Sequence, residues 1–338
     1  MKLRTTIFLL LFSMLGYSQV KDTVFFLNKS MLIGELKKMK LGKIEFDSDE
    51  LGIVNIKYNK VKTMHVESNY CRTETVDKKV LYGSILSSKK DKHIIVRTLR
   101  ADVEIKLVDV SSISYYGENW SDGLSGSIGI GYTYTKSSDI GRLNIDGTLK
   151  YAKKKLELGL SGSIIVTSDS SSISRENEDV VLSSRFLTDT RWYSAVSLRY
   201  QRSIELGLLS RYQEGAGIGY KFLQKPNNIA KVVSGLVVNQ ETDFEFNKNT
   251  YLEWSTNVGY DFFSFSKPNM TVSMSQGVYV SLSQKGRVRN EGELAINWEL
   301  IDDFSINISF YHNYDRKSPA TGTKKTDYGF VTGLNYKF

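Results

Sequence analysis

The side chains able to do chemistry in this sequence are few and poorly placed for it. There are 3 His and 1 Cys in 338 residues. Hydrolysis by a nucleophile needs a hydroxyl or thiol beside a base that a third polar group orients. His312 is the base with the best surroundings, since it shares one face of an alternating segment with Phe310 and Tyr314 near a segment end. No serine lies two residues from it, so a hydrolase would have to take one from a neighbouring strand. His65 and His93 have no partner at metal-ligand spacing, and one cysteine excludes a disulfide framework and a Cys-based zinc site. Cys71 is expected in the link between two β units and inert, because no nearby histidine or helix N-terminus lowers its pKa. No metal and no cofactor is expected.

Charge is the larger resource. With 45 basic and 37 acidic residues the net charge is +8, a mixture rather than the basic stripe of a nucleic-acid binder. Beyond Trp120 the charges fall in register with an apolar pattern. Lys150, Lys155, Glu157, Arg185, Arg199, Glu253, Asp261, Arg289, Glu291, Glu293 and Glu299 all have the parity opposite to their apolar neighbours. Rows of charge on one face of a sheet either neutralise one another and fix its shape or line a polar path.

Those residues sit on alternating strands. Leu156, Leu158 and Leu160 project to one side of 155–160, Lys155 and Glu157 to the other. The same design recurs in 252–261, 293–300 and 304–310, and the period of two is that of a strand with two unlike faces. A soluble sandwich would bury the apolar face, whereas a transmembrane barrel would turn it to lipid and the polar face to its interior. Segments of 13 to 15 residues, such as 123–135, 249–263 and 269–283, favour the membrane, where a tilted strand needs about 9–11 residues to cross. Aromatic residues at segment ends (Tyr151, Trp192, Phe222, Phe262, Tyr314, Tyr336) fit interfacial girdles. About twelve strands are expected: 123–135, 140–151, 155–166, 177–187, 191–202, 206–222, 229–241, 249–263, 269–283, 287–300, 304–315 and 326–338. An even count returns the C-terminus to the side where the first strand starts. All three prolines then fall in turns, where no ladder N–H is needed.

Residues 1–19 have the form of an export signal, with Lys2 and Arg4 before an apolar run Ile7–Leu15 that is too short to span a bilayer. Residues 22–117 form a second, smaller β region that repeats itself. Gly34 matches Gly83, Val54, Ile56 and Tyr58 match Val103, Ile105 and Leu107, and Val61 and Met64 match Val110 and Ile113, all 49 apart. Ile44 and Phe46 meet Ile94 and Val96 with one residue of slippage. Each copy, with a glycine inside a strand pattern, loosely resembles small bent barrels of the Sm or SH3 type, which implies a binding or spacer module.

The segment Gly126-Ser-Ile-Gly129-Ile-Gly131-Tyr-Thr-Tyr134 resembles the first strand of the DUF481 family of outer-membrane proteins, also called the putative salt-induced outer-membrane protein family. The resemblance continues at Glu178-Asp179, Phe186 to Trp192, Glu205 to Leu209, Gly215 to Tyr220 and Tyr328 to Phe338, and so covers roughly 120–338. It implies an outer-membrane location and no particular activity. The last strand, with Phe338 terminal and Tyr336 two before it, resembles the signal read by the barrel assembly machinery.

The expectation is therefore an all-β protein, with an outer-membrane barrel at 120–338 and a periplasmic duplicated module at 22–117. Its role would be structural or adaptor, with room for a narrow passive pore. The expected partners are outer-membrane lipid, lipopolysaccharide and an unknown periplasmic protein, with no nucleic acid. Lys285, Arg287, Arg316, Lys317, Lys324 and Lys325 are candidates for lipopolysaccharide phosphates, and Glu176, Glu178 and Asp179 for a divalent cation. Alternatives are an outer-membrane lipid hydrolase using His312 and a secreted soluble β-sheet binding protein.

Overall fold

The computed structural model describes residues 21–116, 123–137, 139–169, 172–204, 206–264, 269–301, 304–317 and 325–336. The export signal, Lys324 and Phe338 lie outside the described residues, as do Pro268 and Pro319. The described chain forms two sheets and no α-helix.

The first sheet holds β1 (Asp22–Phe26), β2 (Met31–Lys40), β3 (Lys43–Ser48), β4 (Gly52–Lys57), β5 (Val61–Thr75), β6 (Val80–Ser87), β7 (His93–Arg97), β8 (Asp102–Lys106) and β9 (Val110–Tyr115). Its order is β4-β3-β2-β1-β5-β6-β7-β8, and β9 closes it by pairing with both β2 and β5. The 49-residue repeat is visible in the elements. A 3-10 turn at Tyr58–Lys60 before β5 recurs at Leu107–Asp109 before β9. The first half of β5 ends one copy while its second half, Cys71 onward, takes the place β1 has in the other. At Gly34 and Gly83 the facing strand comes so close that a Cβ would overlap the carbonyl oxygen of Asp47 or Arg97. Ile44, Phe46, Val61 and Met64 and their counterparts Ile94, Val96, Val110 and Ile113 are all fully buried in one apolar core. Cys71 is not in a link: it lies inside β5 and is fully buried in that core.

The second sheet has twelve antiparallel strands in sequence order. They are β10 (Leu124–Thr135), β11 (Ile140–Lys153), β12 (Leu156–Ser168), β13 (Ile173–Leu187), β14 (Trp192–Ser203) and β15 (Leu208–Lys225). There follow β16 (Asn228–Asp243), β17 (Lys248–Phe263), β18 (Asn269–Ser281), β19 (Val288–Ile301), β20 (Phe304–Asp315) and β21 (Thr326–Tyr336). Number and order are as the alternation implies. The connection between the strands expected at 155–166 and 177–187 is shorter, because β13 starts at Ile173 and a bulge at Ile165/Val166 takes up the extra residue.

Burial in this sheet is inverted relative to the first. On β17 the side chains of Leu252 and Trp254 are 40% and 48% exposed, while Glu253 between them is 0%. Ile218, Leu236 and Trp298 likewise face out, and Arg211, Glu241 and Arg289 face in. No residue of these strands joins the apolar core, which runs from Val24 to Ile113. A sandwich would have put the two apolar rows together. The sheet curls until Arg199 on β14 touches Glu291 on β19, five strands away. Among the described residues no ladder joins β21 back to β10, and both edge strands are largely exposed. On these edges Gly131 and Gly333 border open space, whereas the Asp146 carboxylate lies over Gly129 and the Tyr311 ring over Gly329.

Candidate functional site

Inside the curled sheet, alternation brings charge from seven strands to one place. Arg287, at the entry to β19, is held by Glu241 at 2.9 Å and Asp315 at 2.6 Å and lies over the Tyr251 ring. Arg211 joins the same Glu241 at 2.8 Å and takes Gln201 as a second acceptor. Asn239 donates to Glu241 and, at 3.4 Å, to Glu253. Glu253 receives Arg289 at 2.6 Å, which also reaches Glu291 at 3.0 Å. Glu291 meets Arg199 at 2.8 Å, and Arg199 ends the chain on Asp179 at 2.5 Å. Four guanidiniums and five carboxylates thus form one continuous network. Charges this far from water persist only when paired and hydrogen-bonded, and these are. Arg211, Glu241, Glu253, Arg287 and Arg289 are each at most 4% exposed, so this part of the network is shielded from water.

Of the inward residues read from the sequence, Arg199, Glu253, Arg289 and Glu291 belong to this network. Arg185 pairs with Glu157 at 2.9 Å lower down, Asp261 with Lys40 of the first sheet at 3.3 Å, and Glu299 accepts from Asn269. Glu293 borders an inner cavity of about 460 Å³ together with Lys231 and Asp261. Lys150 has inward parity at the same end as Arg185. Lys155 is a correction: it stands in the turn after β11 and pairs with Asp189 in the next turn at 2.8 Å, because strand pairing stops at Leu156. Arg287 is another. It is no free outer-rim cation for phosphate but a buried member of the network, its inward parity outweighing its place near a loop. Arg211, Glu241 and Asp315 were missed, and Asp179 was read as a cation ligand instead of an inward partner of Arg199, although the parity rule reaches each of them.

The acidic trio does not form a site. Glu176 pairs with Arg142, Glu178 with Arg175 and Asp179 with Arg199, on different faces. Among the described residues no group of His, Cys, Asp and Glu is arranged to hold a metal. His312 faces outward as its parity requires. Its Nε2 lies 2.6 Å from Asn290 Oδ1, which also accepts from Gln276, and no serine hydroxyl joins this trio among the described hydrogen bonds.

The first sheet sits on one rim of the second. Lys221 Nζ lies 2.9 Å from the Glu74 carboxylate, Gln224 also donates to it, and Arg72 pairs with it at 2.6 Å. Burial pushes the Glu74 carboxyl up, but Lys221 and Arg72 outweigh it and hold it below the usual range. Arg72 donates to the Thr188 carbonyl and Arg191 to the Val76 carbonyl. Tyr82 donates to Asp189 at 2.8 Å, and burial followed by that carboxylate pushes the phenol up to about 12. Lys57 reaches Asn269, and Lys43 lies over the Phe263 ring at 3.8 Å. Every rim segment touched follows an even-numbered strand of the twelve or ends it. The rim that carries the module is therefore where β10 begins and β21 ends.

Fold and site together define a twelve-stranded antiparallel sheet of the barrel type, apolar outside and ionic within. The model of the family described as "Protein of unknown function, DUF481" matches residues 128–338, and the chain belongs to that family. The β1–β9 module lies outside the match. No curated protein matches the chain. Among solved structures the chain is similar to the NanC porin, at 9% identity over 64% of this chain and 98% of that one, with a TM-score of 0.35. A bacterial polysaccharide outer-membrane secretin is also 9% identical, over 79% and 96%, with a TM-score of 0.35. A refined porin is 10% identical over 79% and 98%, with a TM-score of 0.32.

Proposed function

We propose that the protein is an outer-membrane β-barrel of structural and adaptor type, with β10–β21 in the bilayer and the duplicated module in the periplasm. The observation that carries this is the inverted burial: rows of Leu, Ile, Val and Trp outside, paired charges inside. Placing one such row in water would expose an apolar surface far larger than soluble monomers tolerate. In hydrocarbon the same row is stable, and the β10–β21 seam closes there, because an unpaired backbone edge costs several kcal/mol per group.

The ionic network makes the barrel a closed post rather than an open channel, so any passive conductance is small. The role is non-enzymatic in this reading, which is supported by the pairing of His312 with the Asn290 amide. Lys285, Arg316 and Lys317, on the rim away from the module, suit lipopolysaccharide phosphates, and Tyr336 with Phe338 suits the assembly machinery. A periplasmic partner would bind the module face turned from the barrel.

Fractionation tests the location. The protein should remain in the outer-membrane pellet after a high-salt wash, and its gel band should shift on heating in detergent. Release into a detergent-free supernatant would remove the proposal. In planar bilayers, large open-channel steps would remove the closed-post clause, and loss of a lipase activity in His312→Ala would remove the non-enzymatic one.

A further inference from the structure

The duplication in the module leaves one sheet face used and its twin free. In the second repeat Arg72 of β5 stands between Tyr82 of β6 and Ser114 of β9, and Glu74 between Val80 and Ser112. This face docks on the rim, since Glu74 meets Lys221, Arg72 the Thr188 carbonyl and Tyr82 Asp189. The same register occurs 49 residues earlier: Thr23 stands between Ile33 and His65, and Phe25 between Met31 and Thr63. Phe25 and Ile33 therefore hold the places of Glu74 and Tyr82. Among the described residues no hydrogen bond, ion pair or ring contact joins this twin face to the barrel. It is apolar where the docked face is charged, and Met31 and Ile33 are 59% and 42% exposed. The turn after β3, tied to this row by Asp49 N–H donating to the Ile33 carbonyl, adds Leu51 at 67%.

The charges at the two ends of this row differ in sign. At the Leu51 end Lys21 matches Asp49, Lys37 alone answers both Glu35 and Asp47, Glu67 has His65, and Glu50 has no ion pair among the described residues. At the Met31 end Lys62 is matched by Asp91, while Lys29, Lys60 and Lys92, whose N–H donates to the Lys62 carbonyl, have no ion pair among the described residues. One end is negative and the other positive. We infer that this face pairs with the same face of a second copy of the chain, about a twofold axis through the middle of the row. Such an axis lays Met31 and Ile33 of each copy against those of the other and brings each lysine end over a carboxylate end. A polyanion would be repelled by one end and a polycation by the other. Pairing also removes from water an apolar patch of a kind that soluble surfaces seldom leave uncovered. The inference concerns the module alone and holds whether or not the twelve strands cross a membrane.

Sedimentation velocity of the purified full chain in detergent tests it. The chain is expected to pass from monomer to dimer as its concentration rises. Met31→Lys/Ile33→Lys should weaken the dimer by about tenfold or more, because it places ammonium groups in the apolar centre. Leu99→Lys, at an exposed leucine of the second repeat, should leave it unchanged. Glu50→Lys alone and Lys29→Glu/Lys60→Glu alone should each weaken it by about threefold or more, and all three reversals together should restore it. A chain that stays monomeric at every concentration overturns the proposal, as does a dimer that the two lysines at 31 and 33 leave intact. Failure of the combined reversals to restore the dimer overturns the twofold pairing. An unchanged circular dichroism spectrum in each variant separates loss of contact from loss of fold.

Discussion

Arg199 is the most informative residue to remove. It joins Asp179 on β13 to Glu291 on β19, spanning the interior, and its side chain is 20% exposed against 27% and 21% for the two carboxylates. Breaking a buried pair by deleting one partner costs about 3–5 kcal/mol, most of it the penalty of the charge left behind. Here about a fifth of each group still reaches water, so Arg199→Gln is expected to cost about 2–3 kcal/mol. Glu291→Gln leaves Arg199 on Asp179 and Arg289 on Glu253, so about 1–2 kcal/mol is expected. In the double variant two amides can hydrogen-bond to each other, and the loss should fall short of the sum by at least about 1 kcal/mol. Urea unfolding in phospholipid vesicles, read by tryptophan emission, measures all three. Losses that add to within about 0.3 kcal/mol would show that the two groups do not touch, and the cross-interior network would be wrong.

Glu74→Gln should free the module from the rim. Hydrogen exchange would rise in β9 and in the 188–191 turn while the twelve-stranded sheet keeps its protection. Because the Lys221 and Arg72 charges hold the Glu74 carboxyl below its ordinary pKa, its contribution is fully present above the ordinary carboxylate range and lost as pH falls below that range, where docking should loosen. Asp22 behaves in the opposite sense, since burial raises its pKa to about 6 although its carboxylate accepts from Leu36 N–H. Its stability contribution is complete below the unfolded pKa and lost as pH rises through 6, a difference of about 3 kcal/mol by the time it is fully ionised. Asp22→Asn should therefore stabilise the module at neutral pH and flatten its melting profile between pH 4 and 7. Gly83→Ala should unfold the module, because the new methyl meets the Arg97 carbonyl oxygen; an unchanged melting temperature would refute the close approach. Cysteine at 128 paired in turn with cysteine at 330, 332 and 334 should cross-link in membranes if the β10–β21 seam closes, and no cross-link at any register would count against closure.

Much of this architecture is legible in the sequence, for definable reasons. A strand between two unlike media must alternate at every position, so all twelve strands could be drawn to within a few residues at nearly every end. The repeat in the module was legible because both copies need the same core positions, Ile44 with Ile94 and Val61 with Val110. What was not legible depends on distance in space. Parity shows that Arg199 and Glu291 face inward; that they meet depends on curvature across five strands. Arg287 looked like a surface cation because its neighbours Lys285 and Gly286 are loop residues, yet one further step into the pleat buries it. Lys155 failed the other way, since its strand begins one residue later. Cys71 looked like linker because the two copies were expected to be separate, whereas they share β5. The contacts between the two sheets had no signal at all, because Lys40 and Asp261 come together only when the module docks.

The central claim is that the outward rows touch acyl chains, and a spin-label scan of β17 in vesicles tests it most directly. Labels at 252, 254, 256 and 258 should collide readily with oxygen and hardly with a water-soluble nickel chelate, while labels at 255 and 257 should be shielded from both. Nickel accessibility at the even positions equal to that of an exposed loop, such as 245, would mean that water covers the apolar face and that these strands do not cross a membrane.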